Sequence, residues 1–386
     1  MKRVLMWIED GSLSFDNRVK REAQALLETE QIEVICISPK FKGDPLIQNI
    51  DGVKSLHYWK YEGNSILGQI LERITTILMS LILVPLVSIV FRVRAIHFHS
   101  PTDFFVPLFS VLRVFGLKVV YDQHDLSPEL YLSRRNTSKS ILYKVLLLVE
   151  RLSYRLSDHV IVVNDSYKEV AINRGRIAPE KITVLRNGPI AKKFDSLIED
   201  NNRLNNEIIN LGYLGNINQA DGTGVLVDLC LELLKHSDKF HFHVVGSGQD
   251  LPVLKELAKQ KKVDERFTFY GRVSNQDLFR IFANVHIGIQ PDPHNPLNNI
   301  STMNKVPEYM AMGLPFVAFD LKETIVSGGE CGEYASNLKD FAESIHRLMS
   351  DDELRLRKGR QAYKRHLSYS SWDTQKSKIV NLYKNI

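Results

Sequence analysis

Three groups of residues in this chain have types and spacings that could do chemistry. The first is the run Asn298-Asn299-Ile300-Ser301-Thr302-Met303-Asn304-Lys305-Val306-Pro307-Glu308-Tyr309-Met310-Ala311-Met312-Gly313-Leu314-Pro315. Ser301 or Thr302 is a good cap for a helix that would run to Gly313 as its stop. Free N–H groups at such a start suit a diphosphate. Lys305 would add a cation one turn in, and Glu308 offers a carboxylate acceptor for ribose hydroxyls. Pro307 falls too late for the first helical position, so a local irregularity is expected there. An ordinary capped helix with a surface glutamate fits the same letters.

The second group lies at strand ends in the second half. Leu214-Gly215-Asn216-Ile217-Asn218-Gln219-Ala220-Asp221-Gly222 is small and polar, so its backbone could approach a phosphate closely. Gly246-Ser247-Gly248 carries only part of a dinucleotide fingerprint, which argues against a dinucleotide cofactor. Gly271-Arg272-Val273 could hold a base or a phosphate. The third group is Tyr121-Asp122-Gln123-His124-Asp125-Leu126-Ser127-Pro128-Glu129, where a strand ends in an imidazole and three carboxylates. His124 could move a proton or steady a sugar, with Asp125 beside it; a histidine bonded into a loop is the plainer alternative. Asp16, Asn17 and Arg18 leave the first strand at the same edge as Glu129, and with it they form the acceptor-side candidates. Asp16 could equally cap the following helix. His97 and His99 are read as pointing to opposite faces of a strand, which argues against a metal pair. No Asp-x-Asp follows a strand, so no metal is expected.

These groups need strands to place them. Short β-branched runs alternate with amphipathic stretches, which implies parallel sheets with helices on both faces. The first set of strands is Val4–Ile8, Glu33–Ser38, Ala95–His99, Val119–Asp122, His159–Val163 and Ile182–Leu185. A polar linker over 192–206 follows, and the rhythm restarts with Ile208–Leu214, Phe240–Val245, Phe267–Tyr270, His286–Gln290 and Pro315–Ala318. The reading is α/β: two tandem Rossmann-like, doubly wound domains, over 1–190 and 207–370, with a ligand cleft at the carboxyl ends of their strands.

Ile74 to Phe91 breaks the rhythm with 18 residues that carry no charge. It could span a membrane, lie on one, or be a buried helix; Pro85 and its place between two strands of one sheet count against a span. Arg134, Arg135, Lys139, Lys144, Arg151 and Arg155 flank the apolar stretch Ile141–Val149 with only Glu150 as an acid. That pattern suits an anionic membrane surface, or a core helix with solvated ends.

The bulk properties narrow the class. Among 386 residues the net charge is +5, and residues 1–200 hold 27 Lys/Arg against 23 Asp/Glu. That excess is too small to suggest nucleic acid. Cys36, Cys230 and Cys331 match no metal or redox spacing and fit a reduced compartment. The apolar start is too short for a signal peptide and reads as a first strand.

Together these pieces resemble the family 4 glycosyltransferases of the two-Rossmann B-fold (GT-B) type, in the branch that builds bacterial surface polysaccharides such as O-antigen or capsule. The stretches that carry the resemblance are Asp16–Glu22, Gln123–Tyr131, Asn164–Lys168, Val184–Pro189, Gly212–Asn216 and Pro296–Pro315. It implies retaining, metal-independent transfer from a nucleotide-diphosphate sugar, with no cofactor, to a polyprenyl-diphosphate-linked saccharide at the inner face of the cytoplasmic membrane. It implies that His124 sits by the donor sugar and that Glu308 is the second member of a Glu-x7-Glu pair binding ribose. The first member would fall at Ile300, and Asn216, Asn218 and Gln219 replace the usual basic pair. Lys305 could supply some of that charge, and Ser301 and Thr302 become sugar or phosphate contacts. A C-terminal helix near 371–386 would pack back on the first domain. A nucleotide-sugar epimerase of the same fold and a non-catalytic two-domain binder are the alternatives.

Overall fold

The computed structural model describes residues 1–61, 63, 65–99, 103–135, 140–194, 207–218 and 221–386. Residues 195–206 of the expected linker, Gln219 and Ala220 of the glycine loop, and Lys139 of the basic stretch lie outside the described residues. The chain divides into two units, Met1–Arg186 with Gln375–Ile386, and Asn187–Thr374.

In the first unit the strands are β1 (Lys2–Trp7), β2 (Ile32–Pro39), β3 (Ile47–Ile50), β4 (Val53–Tyr58), β5 (Ala95–His99), β6 (Lys118–Gln123), β7 (His159–Val162) and β8 (Ile182–Val184). Among the described residues they form one sheet in the order β3-β4-β2-β1-β5-β6-β7-β8, parallel except for the β3–β4 hairpin. The order reverses direction between β1 and β5, the switch point at whose carboxyl edge doubly wound sheets bind ligands. Interleaved helices are α1 (Asn17–Leu27), α2 (Ile66–Val90), α3 (Phe105–Phe109), α4 (Ser127–Arg135), α5 (Ile141–Leu156) and α6 (Asp165–Val170). The strands are buried on both faces, so they read as unbroken apolar runs: Val4, Leu5, Met6, Trp7 and Ile8 are each at most 3% exposed.

The second unit repeats the plan with β9 (Ile209–Leu214), β10 (Phe240–Val245), β11 (Phe267–Gly271), β12 (Ile287–Gln290), β13 (Phe316–Phe319) and β14 (Gly332–Ala335). Their order is β11-β10-β9-β12-β13-β14, with the switch between β9 and β12. The helices are α7 (Val225–Leu233), α8 (Leu251–Gln260), α9 (Asn275–Ala283), α10 (Pro296–Ile300), α11 (Lys305–Ala311), α12 (Lys322–Gly328), α13 (Leu338–Ser350) and α14 (Asp352–Arg365). Leu211, Tyr213, Phe240 and Phe242 build the core on one face, and Phe282, Val285, Tyr309 and Met310 build it on the other. Gly212 and Gly288 pair across the two central strands. A Cβ on Gly212 would meet Val285 at 2.7 Å, and one on Gly288 would meet the Tyr309 ring at 2.6 Å, so these glycines admit the helices of that face. The last helix, α15 (Trp372–Asn385), contributes its residues from Gln375 onward to the first unit. There Lys378 Nζ donates to the Val184 carbonyl, and the Gln375 side chain accepts from the Arg186 N–H.

Three strands differ from the sequence expectation by being present at all: β3, β4 and β14. Residues 47–49 of β3 are exposed at the sheet edge, so no apolar run marks it. The turn was nevertheless written in the letters, because Asp51 (φ 49°) and Gly52 (φ 89°) form the two-residue left-handed link of a tight hairpin.

Helix α2 is one continuous helix through Pro85, and it is turned inside out. Over Leu71–Val90 its buried residues are Thr76, Ser80, Val84, Val87 and Ser88, while Leu71, Ile74, Ile77, Leu78, Leu81, Ile82, Leu86, Ile89 and Val90 face outward. Only 28% of the apolar window Leu71–Val90 is buried, which is too little for a plain core helix.

Candidate functional site

At the carboxyl edge of the second sheet, three strand-end loops interlock through backbone. Gly215 and Gly246 have φ of +150° and +146°, near the edge of the region open chiefly to glycine. A Cβ on Gly246 would lie 1.7 Å from the Gly215 carbonyl oxygen, and one on Gly248 would lie 2.1 Å from that of Ile217. The Gly215 N–H donates to Val245 and the Gly246 N–H to Gly271, so the loops after β9, β10 and β11 move as one ledge. Asn216 is exposed on that ledge, and its carbonyl accepts from the Tyr213 hydroxyl. Arg272 is exposed beyond the end of β11, while Val273 packs against the core below.

The run 298–315 folds differently from the expectation. It makes two short helices, and Ser301 is the C-cap of α10 rather than the start of the next. Its hydroxyl donates back to the Leu297 carbonyl, a bond that serves the helix it ends. Thr302 is half-buried in the connection, and α11 starts only at Lys305, after Asn304. The N-cap reading of Ser301 and Thr302 is thus corrected. Pro307 becomes the third residue of α11, where a helix has no use for its N–H, so no irregularity arises.

Lys305 therefore sits at the first position of α11, not one turn in, and is 6% exposed. Its ammonium is 2.5 Å from Asp292, which follows β12, and 5.3 Å from the centre of the Tyr213 ring. The Lys305 Cε is 3.2 Å from where a Gly215 Cβ would be, so the cation lies directly under the glycine ledge. Its charge is offset by Asp292 and does not simply replace the missing basic pair. Burial pushes the nearby Asp221 carboxyl above its ordinary value, with Lys305 pulling the other way. Glu308 is half-buried, one turn along α11. Next to it the Tyr309 hydroxyl donates to the Ile289 carbonyl at 2.9 Å and accepts from the Leu214 N–H at 3.1 Å, which pins the ends of the two central strands. Asp292 and Tyr309 were not singled out from the sequence; a carboxylate two residues past a strand was the available signal for the first.

At the carboxyl edge of the first sheet, His124 Nε2 lies 2.8 Å from Asp122 Oδ2, and the His124 side chain is 20% exposed. Its partner is thus Asp122, which is fully buried, and not Asp125, which is exposed. Arg18 is corrected as an acceptor contact. It is 5% exposed, donates to both Asp122 oxygens at 3.0 and 2.8 Å, and reaches the Leu185 carbonyl at 3.0 Å. Glu22, one helical turn on, lies 3.0 Å from the same guanidinium. Asp16 caps α1 through the N–H groups of Arg18 and Val19, and Asn17 is exposed at the helix start. Glu129 is likewise held in the structure, paired with Arg174 at 2.6 and 3.1 Å.

His97 and His99 share a face, since side chains two apart in a strand point the same way. Their rings stack at 4.1 Å between centroids, which overturns the opposite-faces expectation. Ligand atoms of Glu22, His97, His99 and Asp122 all lie within 4.8 Å of one another, a set that could hold a metal ion. Arg18 already neutralises this cluster, however, and a dication would compete with it for both carboxylates. Burial alone would push the Asp122 carboxyl up, but Arg18, His124 and His99 reverse this and hold it well below its ordinary value. Burial, reinforced by the charge of Asp122, lifts Glu22 well above its own. The two buried acids are thus driven in opposite directions, Asp122 toward the carboxylate and Glu22 toward its neutral form. Burial also lowers His97 and His99, which stay neutral.

A second polar layer lies on the opposite face of β6. Gln123 donates to Glu150 and accepts from the Tyr154 hydroxyl, and Arg174 joins Glu150 to Glu129. Asp122 and Gln123, the two residues before His124, are thus tied down on opposite faces of the sheet.

Comparison with known proteins adds the following. The family described as Glycosyltransferase Family 4 matches residues 17–189, and the one described as Glycosyl transferases group 1 matches residues 209–351. The capsular polysaccharide biosynthesis glycosyltransferase CapM of Staphylococcus aureus is 25% identical over 252 residues, 60% of this chain and 63% of CapM. The chain thus spans less than two thirds of that relative's length. Among solved structures, sucrose-phosphate synthase from Thermosynechococcus elongatus superposes with a TM-score of 0.77 at 15% identity, covering 100% of this chain and 99% of that one. Anabaena Alr3699/HepE in complex with UDP-glucose gives 0.68 at 13%, covering 100% of both.

Proposed function

We propose that this chain, a family 4-like glycosyltransferase of the GT-B fold, moves a sugar from a nucleoside-diphosphate donor to a lipid-linked saccharide of a cell-surface polysaccharide, with retention and without a metal. The observation that carries the donor half is the glycine ledge over Lys305 at the β9–β12 switch point. The Gly215, Ile217 and Gly246 N–H groups are already donated to carbonyls, so the exposed Asn216 end of the ledge and the Lys305 ammonium below are the groups we assign to the charge that builds on a leaving diphosphate. One of the three Lys305 N–H donors is committed to Asp292, which fixes the others in direction. Glu308 is the ribose acceptor, and His124 is the group assigned to the reacting sugar. The UDP-glucose complex of HepE, a protein of the same fold, supports a nucleotide-sugar donor. CapM supports the surface-polysaccharide setting.

The membrane half rests on the inverted helix. Right-handed crossovers place α2, α3 and α5 on one face of the first sheet, because each connects a strand to one further toward β8. All three elements present apolar side chains outward there. Beside α2, Val111, Val114 and Phe115 are exposed after α3, and Ile141, Leu142, Val145 and Leu148 on α5. The exposed Lys144, Arg151 and Arg155 on α5 add positive charge. This combination suits an anionic bilayer surface. A span is disfavoured by topology, since α2 joins two strands of one sheet.

The test is to incubate the purified protein with nucleotide sugars, with and without lipid-linked saccharide. Nucleoside diphosphate released only with acceptor supports transfer. Isomerised donor in the absence of acceptor would instead establish the epimerase.

A further inference from the structure

The catalytic histidine in the reading above has a floor that nothing in that reading requires. We propose that Asp122 is a positioning residue: clamped by the Arg18 fork, it accepts from Nε2 of His124 and so fixes the tautomer and direction in which that imidazole meets the donor sugar. The inference rests on the transfer reading for what His124 does, and on geometry alone for how His124 is held.

The geometry is over-determined. Asp122 Oδ2 lies 2.8 Å from His124 Nε2, 3.3 Å from His99 Nδ1 and 3.0 Å from Arg18 Nε. The other oxygen, Oδ1, takes a second Arg18 N–H at 2.8 Å. An ionised carboxylate has no proton to give, so every nitrogen facing it must carry one. His124 is thereby protonated at Nε2, and in its neutral form Nδ1 is the nitrogen left to accept from a hydroxyl. Arg18 makes the carboxylate rigid, because a guanidinium held at Nε and Nη2 by Asp122 and at Nη1 by the Leu185 carbonyl cannot turn. Behind it, Glu22 at 3.0 Å and the stacked His97 and His99 rings fill the remaining space. Asp125, next in sequence to His124, takes no part in this frame.

The experiment has two arms. Nitrogen-15 spectra of histidine-labelled protein, with the His124 signal assigned by its loss in His124→Ala, read the tautomer at a pH where free imidazoles are neutral. Nε2–H is expected in the wild type, and a mixture of tautomers in Asp122→Asn. In the transfer assay Asp122→Asn should lose about 100-fold or more in kcat, the scale of a misplaced acid–base group, with donor KM unchanged. If Asp122→Asn does not fold, Arg18→Lys keeps the charge but loses the fork. Asp122 is then still ionised, so Nε2–H should persist, while the carboxylate freed from the fork should cost about tenfold in kcat, on the same scale of acid–base contributions; an unchanged kcat overturns the proposal. A wild-type His124 protonated at Nδ1 overturns the proposal. So does an Asp122→Asn protein that keeps both tautomer and turnover. If the wild type transfers no sugar at all, the transfer reading fails while the spectra still decide how His124 is held.

Discussion

On the membrane-surface reading, replacing Ile74, Leu78 and Ile82 together by glutamine should weaken vesicle binding without unfolding the protein. The three lie at successive turns of α2 and are 47%, 51% and 58% exposed. Full burial of such a side chain is worth about 1.5–3 kcal/mol. Half of each surface is already covered by protein, so bilayer contact has about 1 kcal/mol per residue left to supply, or about 3 kcal/mol for all three. That corresponds to roughly 100-fold in partitioning. The assay is co-sedimentation with vesicles of phosphatidylcholine and phosphatidylglycerol, beside a thermal melt in buffer. The melt should be unchanged, because the core face of α2 is Thr76, Ser80, Val84, Val87 and Ser88 and remains intact. Raising the salt should weaken the wild type further through Lys144, Arg151 and Arg155. A variant that binds vesicles like the wild type, or one that fails to fold, would refute the reasoning.

The other predictions concern the two carboxyl edges. Glu308→Ala should weaken nucleotide binding in calorimetry, and unchanged affinity removes its ribose role. Gly246→Ala places a methyl 1.7 Å from the Gly215 carbonyl oxygen, so the ledge must open and thermal stabilisation by nucleoside diphosphates should disappear. Asp122→Asn strands the buried Arg18 and should cost about 3–5 kcal/mol in urea unfolding, whereas Glu22→Gln removes a carboxyl that burial already drives toward its neutral form and should cost less than about 1.5 kcal/mol. Equal costs would mean that the charge resides elsewhere. Glu150 is held at about 8 against an ordinary 4.5, mainly by burial. Its folded form keeps the proton longer, so its contribution is complete below 4.5 and is lost as pH rises toward 8. Glu150→Gln should flatten that slope in a denaturation series.

Most strands were legible because parallel strands buried on both faces leave continuous apolar runs, as in Val4–Trp7 and Phe316–Phe319. The edge hairpin was not, since Ile47, Gln48 and Asn49 face solvent and only Asp51-Gly52 announced it. In the candidate sites, His124, Gly215 and Gly246 lie just past strand ends, where the sequence had expected them; their roles, and those of Lys305 and Glu308, belong to the proposal. Sequence misjudged Arg18 because a charged residue in a loop motif looks like a ligand contact until a partner 104 residues away is seen beside it. Ser301 looked like a cap because hydroxyls cap helices, yet here it closes a helix from the other end. The error over His97 and His99 was one of period: residues two apart in a strand are neighbours.

The Arg18 guanidinium also fixes an order of events in folding. Its partners lie 104 and 167 residues ahead of it in the chain, at Asp122 and Leu185. The layer beneath is closed by Tyr383, whose ring is 6.0 Å from His97 and whose carbonyl accepts from Lys2. Residues 187–374 fold as the other unit in between. Contacts this distant in sequence form late, after the loop entropy has been met by other elements. The layer behind that floor is therefore complete only when the helix carrying Tyr383 has returned to β1, after the intervening unit has been made.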